Sequence, residues 1–152
     1  MTTLPDDLAA RALEALPDAV LICDRKGTVR YWNRGAERVF GFARSEIVGA
    51  SLDLIIPARL RTRHWAGWHS AMRSGVTAYG DGRLLAVPAL RKDGGQISIE
   101  FSIQLLKAPD RQVDWVVAVL RDVTERFERE KALRATADRS RARSALEPPP
   151  AR

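Results

Sequence analysis

The clearest alternation in the chain runs through Ile97, Ile99, Phe101 and Ile103, separated by Ser98, Glu100, Ser102 and Gln104. A period of two predicts a strand with one buried face. Ala19-Val-Leu-Ile-Cys-Asp24 and Thr28-Val-Arg-Tyr-Trp32 flank the turn residues Arg25-Lys-Gly27 and predict a hairpin. Val113 to Leu120 predicts a last, valine-rich strand. Val76 to Leu90 is strand-like but broken by Gly80-Asp-Gly82, and Arg91-Lys-Asp-Gly-Gly95 carries the chemistry of a tight hairpin turn.

Helical patterns fill the remainder. Asp6 to Leu16 places Leu8, Leu13 and Leu16 on one face and is closed by Pro17. Asn33 sits at an N-cap position before Ala36, Val39 and Phe40, with Gly41 as the stop. Ser45-Glu-Ile-Val-Gly49 is a shorter turn, and Pro57 opens the longest inner helix, which ends at Gly75. Asp122-Val-Thr-Glu125 has the pattern of a capping box opening a helix from Thr124 to Arg143. Two strands, several helices and three strands predict an α+β fold, a five-stranded antiparallel sheet with helices across one face. The expected division is an N-terminal amphipathic helix at 1–16, one domain at 17–123, a C-terminal helix at 124–143 and a disordered tail at 144–152.

Length and charge narrow the function. The chain has 152 residues, enough for a single core. Its net charge of +6 raises the question of nucleic acid. However, Arg121-Asp-Val-Thr-Glu-Arg-Phe-Glu-Arg-Glu-Lys131 mixes both signs as a solvated surface does, and only Arg139-Ser-Arg-Ala-Arg143 lacks acids. Nucleic acid is therefore not the expected partner. The one cysteine, Cys23, excludes an internal disulfide and a thiolate cluster. No apolar run approaches a membrane span and no signal peptide is evident, so a cytoplasmic protein is expected. Phosphate loops, zinc spacings and nucleophile motifs are missing, so the expectation is no enzyme.

The helix opened by Pro57 holds the only two histidines. At about 100° per residue, Leu60, His64, Trp65, Trp68, Ala71 and Met72 fall within an arc of about 140°, while His69 lies just past its edge. Gly67 and Ala71 leave room beside His64. A neutral imidazole on an apolar face suits iron, and it equally suits a core packed by Trp65 and Trp68.

Several pieces together resemble the PAS family: Leu16-Pro-Asp-Ala-Val20, Trp32-Asn-Arg-Gly-Ala-Glu37, Phe40-Gly-Phe42, Glu46-Ile-Val-Gly49, Arg91-Lys-Asp-Gly94 and Leu120-Arg-Asp-Val-Thr-Glu-Arg126. The resemblance spans residues 10 to 126 and implies a sensory module with a ligand pocket, pairing through its sheet or its flanking helices. The spacing from Pro57 to His64 is similar to that of haem-binding members, the oxygen-sensing nitrogen-fixation kinases and the carbon-monoxide-responsive transcription regulators. It implies haem b held by His64, with Leu60, Gly67, Trp68, Ala71, Leu84, Leu85, Val87, Ile99 and Phe101 around it.

This chain departs from those groups in ways that matter. Where the oxygen-sensing group has an arginine facing the bound gas, this chain has Leu85, and Arg83 nearby reads as a solvated turn residue. No cysteine or methionine stands on the facing strand to supply a sixth ligand. An apolar wall of Leu84, Leu85 and Val87 favours carbon monoxide over dioxygen. Arg59, Arg61 and Arg63 are candidates for the haem propionates. The alternative is a haem-free PAS interaction module, or one that holds flavin or an apolar metabolite. Flavin photoadduct chemistry needs a cysteine on an early helix, and Asn33 to Phe40 has none. Either way the expected partners are a second copy of the chain and an output protein, with a stripe of Phe127, Leu133 and Ala137 available for contact. On the haem reading a small gas is a further partner.

Overall fold

The structure, a computed structural model, describes residues 3–77 and 86–148. Among these residues β1 (Ala19–Asp24), β2 (Val29–Trp32), β3 (Val87–Leu90), β4 (Gln96–Lys107) and β5 (Val113–Asp122) form one antiparallel sheet in the order β2-β1-β5-β4-β3. Between β2 and β3 lie α2 (Arg34–Phe40), α3 (Arg44–Ile47), two 3₁₀ turns (Leu52–Ile55 and Ala58–Leu60) and α4 (Arg61–Ser74). The flanking helices are α1 (Leu8–Ala15) and α5 (Thr124–Leu146). This is the expected α+β architecture.

Strand alternation decides which side chains meet the helices. Ala19, Leu21 and Cys23 of β1, Ile97 and Ile99 of β4, and Val116, Ala118 and Leu120 of β5 share one core with Trp32, Phe40, Ile47, Leu52, Ile55 and Trp68. Phe101, Ile103 and Leu105 continue the inner face of β4 at its margin, while Ser102, Gln104 and Leu106 are exposed. Opposite residues of paired antiparallel strands point to the same side. Ile99 therefore faces inward beside Val87, its partner on β3.

Among the described residues the core contains one fully buried polar side chain, Asn33. Its Oδ1 accepts from Ala36 N, capping α2, and from Val20 N on β1, each at 2.8 Å. Its Nδ2 donates to Leu13 O of α1 at 2.8 Å and to Asp18 O at 3.1 Å. A cap predicted from local sequence thus also joins α1, β1 and α2. Gly35 permits the same junction, because a Cβ there would lie 2.1 Å from Asp18 O.

The structure departs from the sequence expectations at four places. Pro57 precedes the helix instead of opening it. Leu60 N bonds Pro57 O at 2.8 Å in a 3₁₀ turn, and α4 proper begins at Arg61. The capping box at Asp122 to Glu125 does not form. Thr124 Oγ1 accepts from Ser98 N and donates to Asp122, while Glu125 pairs with Arg129. Of the strand-like segment expected over Val76 to Leu90, Val87–Leu90 is strand while Val76, Thr77 and Ala86 are not, and residues 78–85 with the glycine break lie outside the described residues. Helix α5 runs on to Leu146, past Arg143, into the stretch expected to be disordered. The Arg91 to Gly95 turn forms as expected, closed by Arg91 N to Gly95 O at 2.9 Å with Gly94 at φ +83°. Among the described residues no helix is long and apolar enough to cross a membrane.

Replacing Asn33 by Ala removes the cap and leaves Val20 N without its acceptor inside the core. The expected loss is roughly 2–4 kcal/mol in urea unfolding. A loss below about 0.5 kcal/mol would show that the junction does not depend on this side chain.

Candidate functional site

Helix α4 carries the residues singled out for ligand binding. Trp68 is buried and belongs to the core, whereas His64, Trp65, Ala71 and Met72 are half-buried. Leu60, at the end of the 3₁₀ turn, is half-buried too. His69, Arg63, Ala66, Ser70 and Arg73 are exposed, so the burial of α4 follows its apolar arc. Gly67 is also exposed, and among the described residues a Cβ there would meet no atom within 4 Å. Across from the helix, Ile99 is buried, and Val87 and Phe101 are half-buried against the core. Leu84 and Leu85 lie outside the described residues, as does Arg83.

Two tryptophans set the position of α4. Trp68 Nε1 donates to Arg25 O in the β1–β2 turn at 2.8 Å. Trp65 lies over Gly27 of the same turn, where a Cβ would fall 2.2 Å from its Cη2. Gly27 also has φ +79°, a left-handed conformation that favours glycine. Trp65 Nε1 donates to Asp53 Oδ1 at 2.7 Å. Asp53 is held in turn by Arg61, whose guanidinium lies 3.9 Å from its carboxylate and donates to its carbonyl at 3.1 Å.

His64 sits among these rings. Its imidazole meets Trp65 edge-on at 4.7 Å between centroids and lies 5.9 Å from Trp68. Its Nδ1 is buried and has no hydrogen-bond partner among the described residues. Burial lowers its pKa below the ordinary value, and the Asp53 carboxylate opposes this in part. The site therefore offers an uncharged imidazole with a free nitrogen in a largely apolar setting. Among the described residues no cluster of three His, Cys, Asp or Glu side chains is placed to hold a metal ion, so His64 stands as a single donor.

The sequence did not mark Arg25, Gly27 or Asp53 as parts of this site. They come from a turn and a 3₁₀ segment far upstream, and no local periodicity links them to α4. The Arg25-Lys-Gly27 turn itself was legible, but not what would rest on it. Cys23 faces the core, and burial, with the nearby Asp24 charge, pushes its thiol up to about 12. It is not a reactive thiolate. An open groove between α1, β2 and α3 contains Arg30, Arg34 and Arg44, but each is paired, with Asp24 or Glu14.

A family model described as "PAS fold" matches residues 13–128. The chain belongs to the PAS family. A PAS domain is a sensory module, and three curated relatives of this one are informative. The chain is 32% identical over 132 residues to an uncharacterised protein of Azorhizobium caulinodans, covering 86% of this chain and 18% of that one. It is 28% identical to the sensor protein FixL of Bradyrhizobium diazoefficiens, over 74% of this chain and 22% of that one. It is 26% identical to the oxygen sensor protein DosP of Escherichia coli, over 78% and 14% respectively. The chain thus spans less than a quarter of the length of these relatives. Among solved structures, a PAS domain from Colwellia psychrerythraea superposes with a TM-score of 0.66 at 21% identity, over 77% of this chain and 95% of that one. An RNA-binding light-oxygen-voltage receptor superposes with a TM-score of 0.69 at 23% identity, over 91% and 40%.

A histidine whose folded pKa is lowered binds fewer protons folded than unfolded. Its contribution to stability is complete above about pH 6.5 and declines as pH falls through that value toward the lower folded pKa. Wild type should therefore lose more unfolding free energy between about pH 7.5 and pH 5.5 than His64→Leu does. Equal losses would mean that His64 is not held neutral. Cys23 should react with a thiol reagent only at the rate of unfolding, and rapid labelling in native buffer would contradict its burial.

Proposed function

We propose that this PAS domain binds haem b through His64 and senses a diatomic gas, carbon monoxide or dioxygen. The observation that carries the reading is the buried, unpartnered Nδ1 of a neutral His64. A buried nitrogen without a partner costs free energy unless something occupies it, and neutral imidazole is a normal donor to haem iron. The residues present fit the group in this respect. His64 would hold the iron, with Leu60, Trp68, Ala71, Val87, Ile99 and Phe101 supplying the apolar surround. Haem, when bound, supplies an iron able to take up a small gas. The likeness to an oxygen sensor protein supports the same reading at low identity.

The domain acts here by sensing and without catalysis of its own. Its output passes to a second copy of the chain or to a protein partner, through α1, the sheet or α5, as in signal transduction or transcriptional control. A second reading is favoured by the two indole rings beside His64, which occupy space that a macrocycle needs. On that reading the domain is a haem-free interaction module, or takes a smaller ligand.

The deciding experiment is an absorption titration of the full chain with hemin, run on wild type, His64→Ala and His69→Ala. A sharp Soret band in wild type and His69→Ala that is lost or shifted in His64→Ala is the expected outcome, and carbon monoxide added after reduction should shift it further. The broad spectrum of free hemin in all three would sink the haem reading and leave the haem-free one.

A further inference from the structure

Among the described residues His64 Nδ1 has no hydrogen-bond partner to fix the ring, yet its surroundings restrain it on one side. Trp65 meets the imidazole edge-on at 4.7 Å. Its indole is itself held in three ways. Gly27 lies beneath it with no side chain to displace it, Trp68 packs against it at 5.6 Å, and Asp53 Oδ1 accepts its Nε1–H at 2.7 Å. Arg61 fixes Asp53 by donating to its carbonyl at 3.1 Å, and bonds Ile56 O at 3.1 Å in the same segment. A chain of contacts therefore runs from Arg61 through Asp53 and Trp65 to His64.

We infer that Trp65, anchored by Asp53, is the positioning residue for His64. A histidine that binds a metal usually has its ring orientation set by a hydrogen bond from its other nitrogen. Here a packed aromatic edge takes that role, and the hydrogen bond is moved one residue outward, to the indole that presses on the ring. The arrangement restrains the imidazole without adding a partner that would compete for its nitrogen. Its importance for iron rests on the function proposed above, but the restraint itself belongs to the protein without any ligand.

Two kinds of variant separate the anchor from general stability. Asp53→Ala and Trp65→Phe each remove the anchoring bond, whereas Asp53→Asn keeps an acceptor for the indole N–H. NMR of the full chain without ligand reads the restraint directly, because the indole ring current displaces the His64 ring protons. Asp53→Ala should move those resonances toward the values of an unrestrained imidazole and Asp53→Asn should leave them near wild type, whereas Trp65→Phe, which removes the ring current itself, is read by its hemin titration. In hemin titrations Asp53→Ala and Trp65→Phe should bind roughly 10- to 100-fold more weakly, with Asp53→Asn again close to wild type.

His64 resonances that stay in place in Asp53→Ala would overturn the inference. So would a displacement in Asp53→Asn as large as in Asp53→Ala, since loss of charge alone would then be the cause. If wild type takes up no hemin while the resonances respond as expected, the haem reading falls and the positioning role stands. If hemin binds through His64 with no response in the resonances, the positioning role falls alone.

Discussion

The site on α4 depends on a turn that contributes no side chain to it. Arg25 offers a backbone carbonyl to Trp68, and Gly27 offers bare backbone to the face of Trp65. The turn is itself closed by Asp24, whose Oδ1 accepts from Lys26 N at 2.9 Å and Thr28 N at 3.1 Å. Any side chain at residue 27 would occupy the space of the Trp65 ring, and the ring would have to shift. Because His64 immediately precedes Trp65 and stands one helical turn before Trp68, the depth at which these two dock fixes where the imidazole stands. The geometry of a β-turn thus sets the position of the candidate ligand.

The parts of the fold visible in the sequence were those coded locally. Asn33 declared itself as a cap because its position relative to Ala36, Val39 and Phe40 is a short-range pattern. The alternation from Ile97 to Ile103 likewise needed only its own neighbours. The second role of Asn33, binding β1 through Val20 N and α1 through Leu13 O, links positions 13 and 20 residues apart and has no periodic signature. The site divides in the same way. The inward direction of His64 was readable from helical spacing, but its dependence on Asp53 and Gly27 arises only when separate segments meet. At Asp122 a local rule gave the wrong answer, because its carboxylate takes the N–H and hydroxyl of Thr124 and Glu125 turns to Arg129.

The sensory role proposed for this domain gives a use to features that a purely stable fold would not need. Among the described residues two buried side-chain atoms depart from the rule that buried polar atoms are satisfied, His64 Nδ1 and Asp114 Oδ1. Such departures are expected at functional positions. The fully satisfied Asn33 shows how the same chain treats a polar group whose purpose is structural.

Helix α5 carries 23 residues and none is buried. It has no core of its own to oppose a change of direction. Its first turn is held by bonds to β4, through Ser98 with Val123 and Thr124 and through the ion pair between Glu100 and Arg126. Between the two β4 residues that grip it lies Ile99, which faces the interior. At 1.5 Å per residue the helix is about 35 Å long, so a tilt of about 10° at its base would sweep its far end through about 6 Å. A displacement too small to disturb the packing of β4 thus becomes, at the tip of the helix, as large as the spacing between neighbouring side chains.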